Sequence, residues 1–294
     1  MKIAILSRQS DLYSNRRLLA AAAARGWTAA VVDPLQDAAG HGDCANGFDA
    51  VIPRYSPYWQ QQAHGVLKRL QAQGIRSLND ADAIALARDA PACLQAFARS
   101  GLPYPDSVPV YPAMLSADWF DRLPFGFPMV LKRHGSSQGL GVELYRDSFA
   151  LTDRVQALID RQEPFLLQEF IAEAKARDQR LLVAGGRVIA AMQRAARSGE
   201  FRANVHLGGL ASPLQAGPEA CDMALRAASV VGLQCAGVDI IESRRGPLLL
   251  EVNACPGFEA LERVSGVDVA GNLLDLLDVA RNEKNITVNN QIHR

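Results

Sequence analysis

Two apolar runs near the end of the chain, GVDII (237–241) and LLLEVNACPGF (248–258), flank a turn of Arg244, Arg245, Gly246 and Pro247. They read as a β-hairpin. Side chains alternate faces along a strand, so Glu251 and Asn253 point the same way, and the pairing strand brings Asp239 beside them. Three oxygen ligands then converge in an open half-site of the kind that hard cations such as Mg²⁺ take, with waters and phosphates filling the remaining positions. The alternative is that the acids are buried and paired with nearby arginines.

The rest of the chain must support that hairpin. Apolar residues make up 49% of 294 and alternate between strand-like and helix-like stretches, as in an α/β protein. Formal charge is zero, which leaves no global basic field for nucleic acid. Five cysteines (Cys44, Cys93, Cys221, Cys235 and Cys255), widely spaced and without a CxxC pair, point to reduced thiols in a cytoplasm. MKIAILSRQ is too short an apolar run for a signal peptide, and no segment approaches a membrane span.

Strands are expected at Lys2–Ser7, Thr28–Asp33, Phe48–Pro53 and Ile75–Asn79, with helices at Arg16–Arg25 and Gln61–Gln73 each stopped by a glycine. This is a small doubly wound domain, without the GxGxxG of a dinucleotide site. A connecting helix is expected over Asp82–Gly101, then a proline-rich seam, Leu102–Pro112. Beyond it come strands at Phe127–Lys132, VELYR and Phe165–Ile171, two strands flanking Gly185 and Gly186, and a polar loop over Arg197–Gly209. Helices are expected at Phe149–Gln162, Pro218–Val231 and Asp268–Asn282, with a polar tail at the end.

Lys132 closes a strand and precedes a loop with Gly135, Gly139 and Gly141. Such a loop lets backbone amides approach phosphate while the lysine supplies charge, or it is a hairpin turn with a surface lysine. Backbone groups at Gln168, Glu169, Phe170 and Ile171 could hold adenine, with Asp178 on ribose hydroxyls. Arg202, Asn204 and His206 share a face if extended, which suits an anion.

The order of these parts resembles the ATP-grasp superfamily, and within it the RimK family of ATP-dependent amino-acid ligases. MKIAILSR, DAVIPR, QGLGV, FRANVHLGG and AGVDII…RGPLLLEVNACPGFEALE carry the likeness, which runs from Met1 to about Leu277. It implies α/β and α+β lobes: a Rossmann-like pre-ATP-grasp lobe over 1–92, then a two-lobed ATP-grasp fold over 93–280 (about 93–165 and 166–280), with a tail over 281–294. It also implies that Lys132, Arg202 and Asn204 act on the phosphates and the acyl intermediate. Gly139 and Gln168 to Ile171 border the nucleotide, Asp178 meets ribose, and Asp239, Glu251 and Asn253 hold two Mg²⁺ or Mn²⁺. The implied reaction activates a carboxylate with ATP as an acyl phosphate, which an amine then attacks. In RimK that amine is glutamate's and the acceptor is a protein C-terminus; small carboxylic acids serve in relatives. No nucleic-acid or membrane partner is implied, and a dimer or tetramer is.

Three positions depart from the family pattern. A lysine is expected where Ala90 stands, an arginine where Leu207 stands, and a serine where Cys255 stands. Loss of the lysine removes one cation near the phosphates unless Arg88 replaces it, and keeps open a catalytically impaired nucleotide-binding protein. Leu207 removes a cation that a carboxylate-bearing amino acid would use.

Overall fold

A computed structural model describes residues 1–38, 47–111, 119–133, 135 and 139–278. Cys44, much of the glycine-loop sequence between Arg133 and Gly139, the tail over 281–294 and the end of the expected last helix lie outside the described residues.

The first lobe alternates strands and helices: β1 (Lys2–Leu6), α1 (Tyr13–Ala24), β2 (Thr28–Val32), α2 (Pro34–Ala38), β3 (Ala50–Pro53), α3 (Gln60–Ala72) and β4 (Arg76–Ser77). Its sheet is parallel with order β2-β1-β3-β4. The chain therefore moves from β1 to one side and returns to the other, leaving a switch point between β1 and β3. Alanines carry α1, and Gly26 in the left-handed region (φ 68°) ends it.

Where one connecting helix is expected, the structure has two, α4 (Ala81–Arg88) and α5 (Ala90–Arg99). Asp89 is extended (φ −96°, ψ 94°), its carboxylate accepts from the Ala92 N–H at 3.0 Å, and Pro91 brings no N–H to the new first turn. The proline-rich seam contains β5 (Ser107–Val110), an edge strand in which Pro109 is tolerated. With β6 (Met129–Arg133), β7 (Val142–Tyr145), α6 (Ser148–Asp160) and β8 (Phe165–Glu169) it makes an antiparallel sheet, order β5-β8-β6-β7.

The third sheet comprises β9 (Arg177–Ala184), β10 (Arg187–Ala195), β11 (Leu210–Pro213), β12 (Cys235–Ser243) and β13 (Gly246–Asn253), order β11-β10-β9-β12-β13, with α7 (Pro218–Val231) and α8 (Glu259–Ser265). One apolar core joins Leu6, Val51 and Ile84 of the first lobe to Ala227, Val238 and Val252 of the third. The middle sheet packs its own core from Met129, Leu131, Leu151, Leu158, Phe165 and Leu167. Asn79 fastens the shared core: its amide donates to the carbonyls of Cys235 (2.6 Å) and Ala254 (2.9 Å) and accepts from the Cys235 N–H at 2.7 Å. Among the described residues no helix is long and apolar enough to cross a membrane.

Candidate active site

The β12–β13 ladder pairs Gly237 with Asn253 and Asp239 with Glu251, then a bulge shifts it to Ile240 with Leu249. Across β12 the ladder continues: Asp239 faces Arg180 on β9, and Asp178 faces Arg194 on β10. Alternation thus puts Asp178, Arg180, Arg194, Asp239, Glu251 and Asn253 on one face of one sheet.

Asp239 is buried and Arg180 grips both its oxygens, Nε to Oδ1 and Nη2 to Oδ2, each at 2.6 Å. Arg194, 3% exposed, adds Nη2 to Asp239 Oδ2 at 2.8 Å and holds both oxygens of Asp178 at 2.6 and 2.8 Å. Burial pushes the Asp239 carboxyl up, but the two guanidiniums outweigh it and keep it below the usual range. Both readings of the hairpin acids therefore meet here: they share a face, and Asp239 is also ion-paired. Asp178, expected at a ribose, has its carboxylate on Arg194.

Glu251 is different. Among the described residues it has no hydrogen-bonded or ion-paired partner; its side chain is open to the cleft, yet the surrounding walls and the Asp239 charge push its pKa up. Lys132 reaches this group from β6 of the middle sheet, likewise without a bonded partner. Burial lowers its pKa, while Glu251 and Asp239 oppose that. A cation and a carboxylate from two lobes thus face a common space.

Gly139 sits at φ 78°, and a Cβ there would lie 2.8 Å from Asn204 Oδ1 and 3.0 Å from Leu207. Only glycine lets the two segments approach so closely. Arg202 joins them: Nη1 donates to the carbonyls of Gly139 at 2.8 Å and Val142 at 3.4 Å, while Nε and Nη2 hold Glu200 at 3.0 and 2.7 Å. That leaves one Nη2 hydrogen for an anion. Residues 205–207 form a 3₁₀ turn rather than an extended segment, so Arg202, Asn204 and His206 do not share a strand face.

At the β8 end, Gln168 is buried and its side chain donates to Ser107 Oγ at 2.8 Å. Glu169 accepts from Arg245 of the β12–β13 turn, and the Phe170 ring meets Phe201 edge-on at 6.3 Å. Ile171 is buried with Ala174 and Leu248. Arg88 donates to the Tyr55 carbonyl at 2.6 Å and to Gln60, and lies over the Tyr55 ring, so its guanidinium is committed to the first lobe. Cys255 donates its thiol to the Pro53 carbonyl at 3.3 Å.

Glu200, Arg194 and Arg245 carry much of this geometry and are absent from the sequence-based site. The alternation DQR on β9 against QRA on β10 was the available signal for Arg194. Glu200 and Arg245 lie in turns, where no periodicity marks them.

A hard divalent cation fits the donor set in part. Among the described residues no three His, Cys, Asp or Glu side chains form a cage. Asp239 accepts three hydrogen bonds and keeps about one lone-pair site, Glu251 keeps all of its own, and Asn253 Oδ1 accepts from the Cys255 N–H at 3.0 Å with a lone pair to spare. Such oxygens can hold Mg²⁺ when substrate phosphates and water complete its shell.

Comparison with known proteins agrees with the fold. The RimK PreATP-grasp domain matches residues 1–84 and the RimK-like ATP-grasp domain residues 87–277. A probable alpha-L-glutamate ligase of Thioalkalivibrio sulfidiphilus is 41% identical over 291 residues, covering 95% of each chain. A RimK domain ATP-grasp protein of Sphaerobacter thermophilus superposes with a TM-score of 0.70 at 25% identity, over 94% of this chain and 98% of that one. The ATP-grasp ligase PsnB, solved with a variant precursor, Mg and ADP, superposes with a TM-score of 0.70 at 21% identity, over 95% and 97%.

Proposed function

Because the chain belongs to the family of RimK-like ATP-grasp proteins, we propose that it joins glutamate or another amino acid, through its amine, to the carboxylate of a protein C-terminus or a small acid. It is an ATP-dependent carboxylate–amine ligase. ATP transfers its γ-phosphoryl group to an acceptor carboxylate, the amine attacks the acyl carbon, and phosphate leaves, giving ADP, phosphate and an amide.

The observation that carries the reading is Lys132 on β6 and Glu251 on β13, two opposite charges without bonded partners among the described residues, contributed by different sheets to one cleft. Lys132, whose ammonium has no bonded partner of its own, attracts the phosphates. Glu251, Asp239 and Asn253 supply oxygens to Mg²⁺ or Mn²⁺, at two positions in this reading; the ions neutralise charge on the transferring group. Arg202 turns its remaining hydrogen toward the same anion and, through Gly139, fixes the loop edge beside it. Asn204 lines that edge, and Phe170 with Phe201 gives an apolar wall that suits a base. Gln168 to Ile171 offer backbone groups to adenine, and Asp178 reaches ribose with a lone pair not used by Arg194.

The same reading assigns lobes to 1–92, 93–165 and 166–280, the cytoplasm as compartment, and a homodimer or homotetramer. The free thiols Cys93, Cys221, Cys235 and Cys255 support the compartment.

Phosphate release from Mg–ATP, measured across the amino acids with a pool of peptide and small-acid acceptors, tests the proposal. Glutamate-dependent release above a Glu251→Gln blank is expected. Release that ignores the amino acid counts against it.

A further inference from the structure

Arg54 stands at the switch point of the first sheet. Its N–H donates to the Leu6 carbonyl at 2.8 Å, so it lies where β1 and β3 end side by side, the crevice in which open α/β sheets hold ligands. Nη1 donates to the Pro256 carbonyl at 2.8 Å, Nη2 to Ser14 Oγ at 2.9 Å, and the guanidinium lies 5.7 Å from the Phe258 ring. None of these partners is an anion.

The other arginines of the cleft each have a carboxylate: Arg180 has Asp239, Arg194 has Asp178 and Asp239, and Arg202 has Glu200. Around Arg54 the charged or titratable groups are the Cys255 and Cys235 thiols and a second cation, Arg88; burial lowers its pKa, and no acid offsets that. Its Nε is buried without a hydrogen-bond partner, as are the neighbouring Tyr55 hydroxyl and, on α1, Asn15 Oδ1. A desolvated cation without a counter-charge is costly to stability, and such groups gather at functional sites. The place is also right: Pro256 follows the Cys255 N–H that bonds Asn253, so Arg54 is tied to the turn closing the proposed metal hairpin.

We propose that Arg54, with Ser14, binds a carboxylate of the amino-acid substrate. This rests on the ligase reading above. It also answers the departure at Leu207: the cation for an acidic amino acid comes from the first lobe, since Arg202 is paired with Glu200 and its one remaining hydrogen serves the phosphates. An entering carboxylate would meet Nε and one face of the fork in charge-assisted bonds.

The test is calorimetric titration of L-glutamate and L-glutamine, in the presence of Mg²⁺ and a non-hydrolysable ATP analogue, into the wild type, Arg54→Met, Arg54→Lys and Ser14→Ala, together with steady-state KM values. Arg54→Met should weaken glutamate roughly 10- to 100-fold, Arg54→Lys less, and Ser14→Ala a few-fold. The KM for ATP and for the acceptor should stay within about twofold. Ser14→Ala keeps the Pro256 bond and reports if Arg54→Met fails to fold. Glutamate affinity equal to wild type in both Arg54→Lys and Ser14→Ala, or a loss confined to the acceptor's KM, overturns the assignment. A wild type that binds glutamate but releases no phosphate in its presence would sink the ligase reading instead.

Discussion

Arg194 and Asp239 meet at 2.8 Å inside the third sheet, and through Arg194 the charge of Asp239 is joined to that of Asp178 on the next strand. One guanidinium, 3% exposed, thus holds two carboxylates that would otherwise repel each other at the base of the cleft.

Arg194→Met should therefore destabilise the protein by about 3–5 kcal/mol, because it leaves two buried carboxylates short of a cation. Arg194→Lys recovers part of this, since an ammonium lacks the fork that spans both partners. Urea unfolding at neutral pH measures the difference; a loss below about 1 kcal/mol would mean the network is no stronger than a surface pair.

Asn79→Ala removes the partners of the Cys235 N–H and of two carbonyls in the interior shared by the first and third lobes. A loss of about 2–4 kcal/mol is expected. Since the contact joins the lobes, cooperative unfolding should also broaden or split; a single unshifted transition speaks against the role given to Asn79.

Glu200 is held at about 2 by hydrogen bonds from the Arg202 side chain, with the Arg202 and Phe201 N–H groups adding to them against the upward effect of desolvation. Its folded pKa is below the unfolded value, so its contribution is present above about pH 4.3 and lost as pH falls toward about 2. At pH 6, Glu200→Gln should be less stable than wild type by about 1–2 kcal/mol after allowing for partial solvent screening. The gap should narrow steadily below pH 4, as chemical melts at several pH values would show; a gap independent of pH would remove the ion pair as its cause.

Glu251→Gln keeps the shape of the side chain and removes its charge. Mg²⁺ affinity, followed by calorimetry with a nucleotide analogue bound, should fall at least ~10-fold, with thermal stability equal to or above wild type because the charge has no bonded partner and lies near that of Asp239. Unchanged Mg²⁺ affinity would take Glu251 out of the metal site.

The hairpin was legible because two alternating runs and a basic turn fix both the face and the register of Asp239, Glu251 and Asn253. The Rossmann-like lobe was legible from its apolar strands and glycine stops. Periodicity alone ran α4 and α5 together, since the break at Asp89 is a capping choice that only the Ala92 N–H reveals. β5 hid behind prolines that an edge strand tolerates. Arg194, Glu200 and Arg54 were illegible for another reason: their meaning lies in which charges face them, and those partners come from other strands, turns or lobes.

The most direct measurement is the fate of the acceptor's oxygen. With an acceptor whose carboxylate carries ¹⁸O, turnover through an acyl phosphate puts one labelled oxygen into each phosphate released, detected by mass spectrometry alongside the new amide. That is the result expected here. Unlabelled phosphate accompanying amide formation, or label left wholly in the acceptor, would contradict carboxylate activation by ATP in this cleft.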